Sequence, residues 1–200
     1  MELAPGGIVS DNVPIKRLGD LGVVKRGLSS YYMHGEDVVV PFVTLKDVQG
    51  GKIISETVDR VSVRKTDLLE KSRITQDDVV VTIKGTNFRG ALVDERAAGF
   101  VISANLVSVA LSDEVLPEIV VAYLNSPRGL RELESRAGGA TIKGLSTKSL
   151  LDLPIPVPPI EQQKALSRYL RAAWEYEDVL KKELELRNGI KEAIVRRVMG

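Results

Sequence analysis

The sequence predicts an α+β fold: a twisted, mostly antiparallel β domain with short helices, followed by one long C-terminal helix of coiled-coil character. Two observations carry this reading. Short runs rich in Val and Ile, bounded by Gly, Asp, Asn and Ser, recur through the first 112 residues, the pattern of strands punctuated by turns. From Ile160 to Met199 there is no proline and one glycine, Gly189, and apolar residues return every three or four positions.

The strand candidates in order are residues 22–26, 38–45, 58–63, 79–83, 91–93, 100–102 and 106–111. Gly50-Gly51, between Val48 and Ile53, reads as a tight turn. A helical patch follows, with Pro117 placed at the first helical position and Ile119, Val120, Tyr123 and Leu124 at helical spacing. Ser126-Pro127 ends it. Residues 130–137 form a second short helix stopped by Gly138-Gly139, and 140–149 return to loop. In Asp152-Leu153-Pro154-Ile155-Pro156-Val157-Pro158-Pro159 the alternating prolines impose an extended or edge-strand path, because each ring locks φ and removes a donor. Pro159 suits the first position of the next helix, and Glu161 complements its dipole.

That helix carries the stripe Leu166, Tyr169, Ala173, Tyr176, Leu180, Leu184, Ile190, Ile194 and Val198, with Arg187 as a polar member. Roughly 40 residues at about 1.5 Å each make a rod on the order of 60 Å. A domain of this size cannot cover such a stripe alone, so the stripe is expected to meet a partner helix. Gly189 marks either an uninterrupted helix at a cost of about 1 kcal/mol or a bend. The organisation expected is a domain over residues 1–158 and a helix over 159–200.

Composition removes several classes of function. The chain of 200 residues has no cysteine, which excludes disulfide frameworks, zinc ribbons, iron–sulfur centres and thiol nucleophiles. The single histidine, His34, excludes HExxH sites and imidazole clusters. A general base built on His34 with Asp37 or Glu36 would lack both nucleophile and cofactor cradle, so neither an enzyme nor a cofactor is expected. Gly85-Thr86-Asn87-Phe88-Arg89-Gly90 has glycines but neither a GKS/T ending nor GxGxxG. The N-terminus reads as no signal peptide, and no apolar run approaches the roughly 18 residues of a membrane span. With 28 basic against 27 acidic residues, and a pI near 7.9, bulk charge does not point to nucleic acid.

A family resemblance enters with particular residues. Thr141-Ile142-Lys143-Gly144-Leu145-Ser146, the stretch Leu150 to Ile155, and Pro158-Pro159-Ile160-Glu161-Gln162-Gln163 ahead of a long helix resemble the specificity subunit of type I restriction–modification enzymes. Arg17-Leu18-Gly19-Asp20-Leu21 with Gly27 resembles that family's opening strand and loop. Asp77-Asp78-Val79-Val80-Val81-Thr82 with Gly85-Thr86 resembles its central strand and glycine turn, and Tyr123-Leu124-Asn125-Ser126 its helix before the recognition loop. The likeness spans about residues 14–199. Family members usually carry two recognition domains and two spacer helices; this chain has one of each, so it resembles a half-length form or one half of a longer protein cut at the helix end.

The resemblance implies a cytoplasmic, non-catalytic, cofactor-free adaptor whose target-recognition domain reads double-stranded DNA. Its partners would be methyltransferase subunits, with a restriction (translocase) subunit beside them, and a second copy joined through the helix; no membrane is implied. Loops would enter the major groove of one half-site, where all four base pairs are distinguishable. The runner-up reading is a coiled-coil assembly module without DNA specificity. Lys84, Thr86, Asn87 and Arg89 combine cations and an amide with no acid, which fits a base-reading loop and equally a solvated hairpin turn. Thr141 and Lys143 fit base or backbone contacts, although Gly138-Gly139 and Gly144 also suit a plain helix stop and turn. Arg26, Tyr31 and Tyr32 offer phosphate contact and stacking, with burial of the tyrosines the competing account; Lys46 completes the set. Acids avoid both loop regions: residues 79–93 and 136–151 contain none. Near-neutral charge then favours a loop-based reader that depends on its partner to grip the backbone.

Overall fold

A computed structural model of the chain describes residues 13–85, 87–139 and 143–199. The largest sheet has six strands in the order β2 (Gly22–Arg26), β10 (Leu106–Leu111), β7 (Val79–Thr82), β8 (Gly90–Leu92), β5 (Lys52–Ile53) and β4 (Val48–Gln49). All its pairings are antiparallel except β5 with β8. A three-stranded sheet orders β6 (Asp59–Val63), β3 (Met33–Val43) and β9 (Val101–Ile102), and β1 (Ile15–Arg17) pairs antiparallel with β11 (Pro154–Pro156).

Valine patterning sets the layers. Every residue of β7 is buried, as a continuous apolar run in a central strand requires. Its pleat sends Val79 and Val81 into one core and Val80 into another. The first core joins the sheet to α1 (Leu18–Leu21), α3 (Pro117–Asn125), α4 (Pro127–Arg136) and α5 (Thr147–Leu151) through Leu18, Leu21, Val120, Leu124, Leu133 and Leu150. Leu166, Leu170 and Trp174 of α6 (Ile160–Met199) pack on the same core. A third cluster, including Leu28, Phe42, Val63 and Leu69, lies between the small sheet and α2 (Asp67–Lys71).

Buried polar groups act as joints. The Asp78 carboxylate is 3% exposed and accepts from Lys25 Nζ at 2.9 Å, Ser108 Oγ at 2.8 Å and the Thr75 amide at 2.9 Å. Gln163 is 1% exposed; its Oε1 accepts from the Leu116 amide at 2.8 Å, and its Nε2 donates to Glu114 O at 3.0 Å and Pro158 O at 2.8 Å. One amide thus holds the proline segment, the entry to α3 and the first turn of α6 together.

Several elements depart from expectation. Residues 147–149, expected as loop, fall in α5, because Ser146 caps its start by accepting from the Ser149 amide at 3.0 Å. The segment Arg17–Leu21, likened to a strand and loop, ends β1 and turns into α1. Pro159 precedes α6 instead of opening it, its carbonyl accepting from the amides of Gln162 and Gln163. The stretch around His34 follows a 3-10 turn at Ser30–Tyr32 and lies in β3. Pro41 sits within that strand opposite Arg60 of β6, one residue before β9 begins to pair at Phe42. The helix runs unbroken through Gly189.

Candidate nucleic-acid interface

Strand register brings the loop candidates to one end of the large sheet. Val107 pairs with Arg26 on one side and Val81 on the other, so β2 and β7 run in the same direction and finish side by side. The chain leaves β2 through Gly27, where a Cβ would come within 2.0 Å of Ser103 O; only glycine passes there. Ser29 then caps the following turn, its Oγ accepting from the Tyr31 amide at 3.3 Å.

The loop after β7 is joined to the loop after α4. Gly144 bridges Lys84 on one side and Gly138 on the other. The Gly85 amide donates to Lys143 O at 3.1 Å, and Leu145 N to Ile83 O at 2.8 Å. Two segments some sixty residues apart in sequence therefore form one small ladder. It is anchored from beneath: Phe88 is 3% exposed in the first core, and the Asn125 side-chain amide brackets Gly90, accepting from its N–H at 2.9 Å and donating to its carbonyl at 2.8 Å. Lys84 and Lys143 stand exposed on this ladder, and Asn87 is exposed in the loop that follows it. Neither lysine is in an ion pair among the described residues. Thr86, Thr141 and the side chain of His34 lie outside the described residues.

The second assembly lies around the exit of β2. Arg26 and Tyr32 line a groove of about 730 Å³ with Leu28, Leu68, Lys71 and Arg73. Tyr31 is 73% exposed and meets Tyr32 edge to face at 5.3 Å. The Arg64 guanidinium lies 6.0 Å from the Tyr31 ring centroid, the outer limit of a cation–π contact. Tyr32 instead packs on the third core. Arg64 and Lys71 are additions that the sequence reading missed; the run Arg64-Lys65 just after a strand was the signal available. Arg73 is committed elsewhere, to Glu70 at 2.8 Å and Gly99 O at 2.7 Å.

Two candidates are not presented with the rest. Lys46 is tied to Asp59 at 2.6 Å, and that hydrogen bond raises the ammonium above its ordinary pKa. Arg89 reaches away from the ladder and donates to Val48 O at 3.2 Å. It lines a second cleft with Gly50, Asn125, Trp174 and Glu177, against α6.

Along α6, Leu166 is packed on its own domain's core and Ala173 is half-buried. Tyr169, Tyr176, Leu180, Leu184, Ile190, Ile194 and Val198 are all exposed. From Val179 to Met199 every residue is exposed. No described helix is long and apolar enough to cross a membrane.

Fold and site thus define a domain that offers basic and amide side chains on loops at one sheet end and extends a bare apolar helix. Residues 10–193 match the family described as the type I restriction modification DNA specificity domain, and the chain belongs to that family. It is 27% identical over 127 residues to a Methanocaldococcus jannaschii protein described as the MjaX type I restriction enzyme specificity subunit, covering 61% of this chain and 28% of that one. It is 25% identical over 154 residues to the StySPI specificity subunit of Salmonella potsdam, covering 75% and 33%. The fold is shared with the HsdS subunit of Thermoanaerobacter tengcongensis at a TM-score of 0.60 and 19% identity, over 90% of this chain and 42% of that one. A second solved structure, of the type I R-M system, gives 0.62 at 19% identity, over 98% and 45%. The chain spans about a third of the length of these curated relatives and under half of these solved chains.

Proposed function

We propose that this chain reads one half of a bipartite DNA site. The domain of residues 1–158 does the reading through its loops, and the helix of 159–200 pairs with the helix of a second copy. The observation that supports it most directly is the ladder of residues 83–85, 138 and 143–145, which brings the exposed Lys84 and Lys143 together at one sheet end with Asn87 in the adjoining loop, in acid-free stretches of a specificity-domain family member. Lys can address guanine O6 and N7, and Asn can bond adenine N6 and N7. Arg26, Tyr31, Arg64 and Lys71 then meet the adjoining backbone, positioning the domain without specifying bases. The role is recognition in the cytoplasm, without catalysis; methyltransferase subunits, and a restriction subunit where present, would supply the chemistry. A net charge of +1 gives weak affinity for DNA alone and leaves the wider grip on phosphates to the methyltransferase.

Selection from a randomised duplex pool, with the methyltransferase partner present, is expected to enrich a bipartite inverted repeat. Lys143→Ala is then expected to cost about 1–3 kcal/mol and relax one base position if it reads an edge. If it meets only phosphate, binding weakens evenly and the log–log salt slope shrinks by about 0.9. A pool with no enriched sequence overturns the DNA reading in favour of an assembly module, which the bare stripe on α6 would serve equally well.

A further inference from the structure

The attachment of α6 to the domain is more elaborate than anchoring a helix requires. Three polar contacts lie along one of its faces: Gln163, Arg171 and Asp178, each about two helical turns from the next. Gln163 binds the entry to α3, as described above. Arg171 Nε donates to the Glu118 carboxylate of α3 at 2.6 Å, and that carboxylate is almost completely buried. Asp178 pairs with Lys52 of β5 at 2.6 Å, and the same ammonium donates to Trp174 O at 3.3 Å. Between them Ser167 is buried and Leu170 and Trp174 pack on the core. The helix is therefore held by two separate elements, α3 and the β4–β5 hairpin, at points about 10 Å apart along its axis. Holding a rod at two points fixes its direction.

Direction matters because the free segment is a lever. The eighteen residues from Lys182 to Met199 extend about 27 Å at 1.5 Å each. A tilt of about 10° at the last anchor would move the tip by roughly 5 Å, more than the 3.4 Å rise of one base pair. We propose that Glu118–Arg171 and Lys52–Asp178 are positioning pairs: they fix the direction of α6 on the domain and so set the separation and phase of the two half-sites, without touching the bases read. The consequence for spacing rests on the DNA reading above; the fixed direction does not.

The absence of cysteine allows the test on the full chain. Spin labels are placed at Arg60→Cys on the domain and Glu185→Cys on the free helix, both exposed positions, and the labelled chain is diluted with unlabelled protein. Pulsed electron paramagnetic resonance is expected to give one narrow intrachain distance distribution. Glu118→Gln with Arg171→Gln removes the ion pair without stranding a buried charge, and Asp178→Ala removes the acceptor that anchors Lys52, leaving its ammonium only Trp174 O. Together they are expected to widen the distribution about twofold while the thermal unfolding midpoint stays close to that of the parent. An unchanged width in this triple variant overturns the proposal whether or not DNA is bound. On duplexes whose half-sites are one base pair nearer or farther, the variant is expected to lose at least about half of the parent's discrimination and to keep its base preferences. Failure of both proteins to bind any duplex would sink the DNA reading and leave the distance result standing.

Discussion

The two halves of α6 have the same sequence texture and opposite surroundings. Residues 160–178 lie against the domain, while 179–199 are exposed on every side. The docked half uses Gln163, Ser167, Leu170, Trp174 and Asp178, spaced at three and four residues. The stripe read from the sequence, running from Tyr169 through Tyr176, Leu180 and Leu184 to Val198, is a different face with the same spacing. Periodicity reports that a face exists and how wide it is. It does not say whether the chain itself or another molecule covers that face, and one helix here carries a face its own domain covers and a face left bare. Leu166 sits on the boundary and is taken by its own domain.

The comparison breaks most visibly if the distal stripe is made polar. Leu184→Asp with Ile194→Asp should abolish self-association, because burying each such side chain contributes about 1.5–3 kcal/mol and two-fold symmetry counts every substitution twice. Sedimentation should show a dimer for the parent and a monomer for the variant, with the domain's unfolding midpoint unmoved. A parent that sediments as a monomer at micromolar concentration would end the pairing account. The converse change belongs to the docked half. Gln163→Leu leaves the Leu116 amide and the Glu114 and Pro158 carbonyls without their partner, a cost of about 1–3 kcal/mol. Its midpoint should fall by several degrees while the dimer persists.

The same contrast explains which features were legible. Strands Gly22–Arg26 and Leu106–Leu111 coincide with the expected runs to the residue, the first as two valines between a glycine and two cations, the second as six positions rich in Val and Leu. The pairs Val48–Gln49 and Lys52–Ile53 are too short to do so, although the Gly50-Gly51 turn between them was visible and both glycines adopt positive φ. The helices α1, α2 and α5, of four or five residues, carry no period either; a cap such as Thr66 or Ser146 is their only local mark. In the site, cations without acids pointed to the loop after β7, and three-dimensional pairing added what sequence distance hides, the ladder joining Lys84 to Gly144. Arg89 is grouped with that loop in the sequence by its charge and its place in an acid-free run. It lies beyond the buried Phe88 and next to β8, so its side chain follows the sheet toward Val48 and α6.

The smallest effect is expected at the one glycine of α6. Gly189 lies deep in the bare half, and a Cβ built there meets nothing within 4 Å. Gly189→Ala therefore changes only helix propensity, worth about 1 kcal/mol in favour of alanine. The gain should appear as greater helicity on warming and tighter self-association, with the domain's unfolding midpoint left in place, because nothing in the domain touches this turn. Gly90→Ala is the control. Its added methyl would come within 2.9 Å of Leu124 Cδ1 beneath the ladder, so the same substitution there should lower the domain's midpoint and leave association alone. Should Gly189→Ala instead move the domain's midpoint, the two halves of the helix would be coupled through its backbone. The distal segment would then be a part of the domain's own stability, not a free arm waiting for a partner.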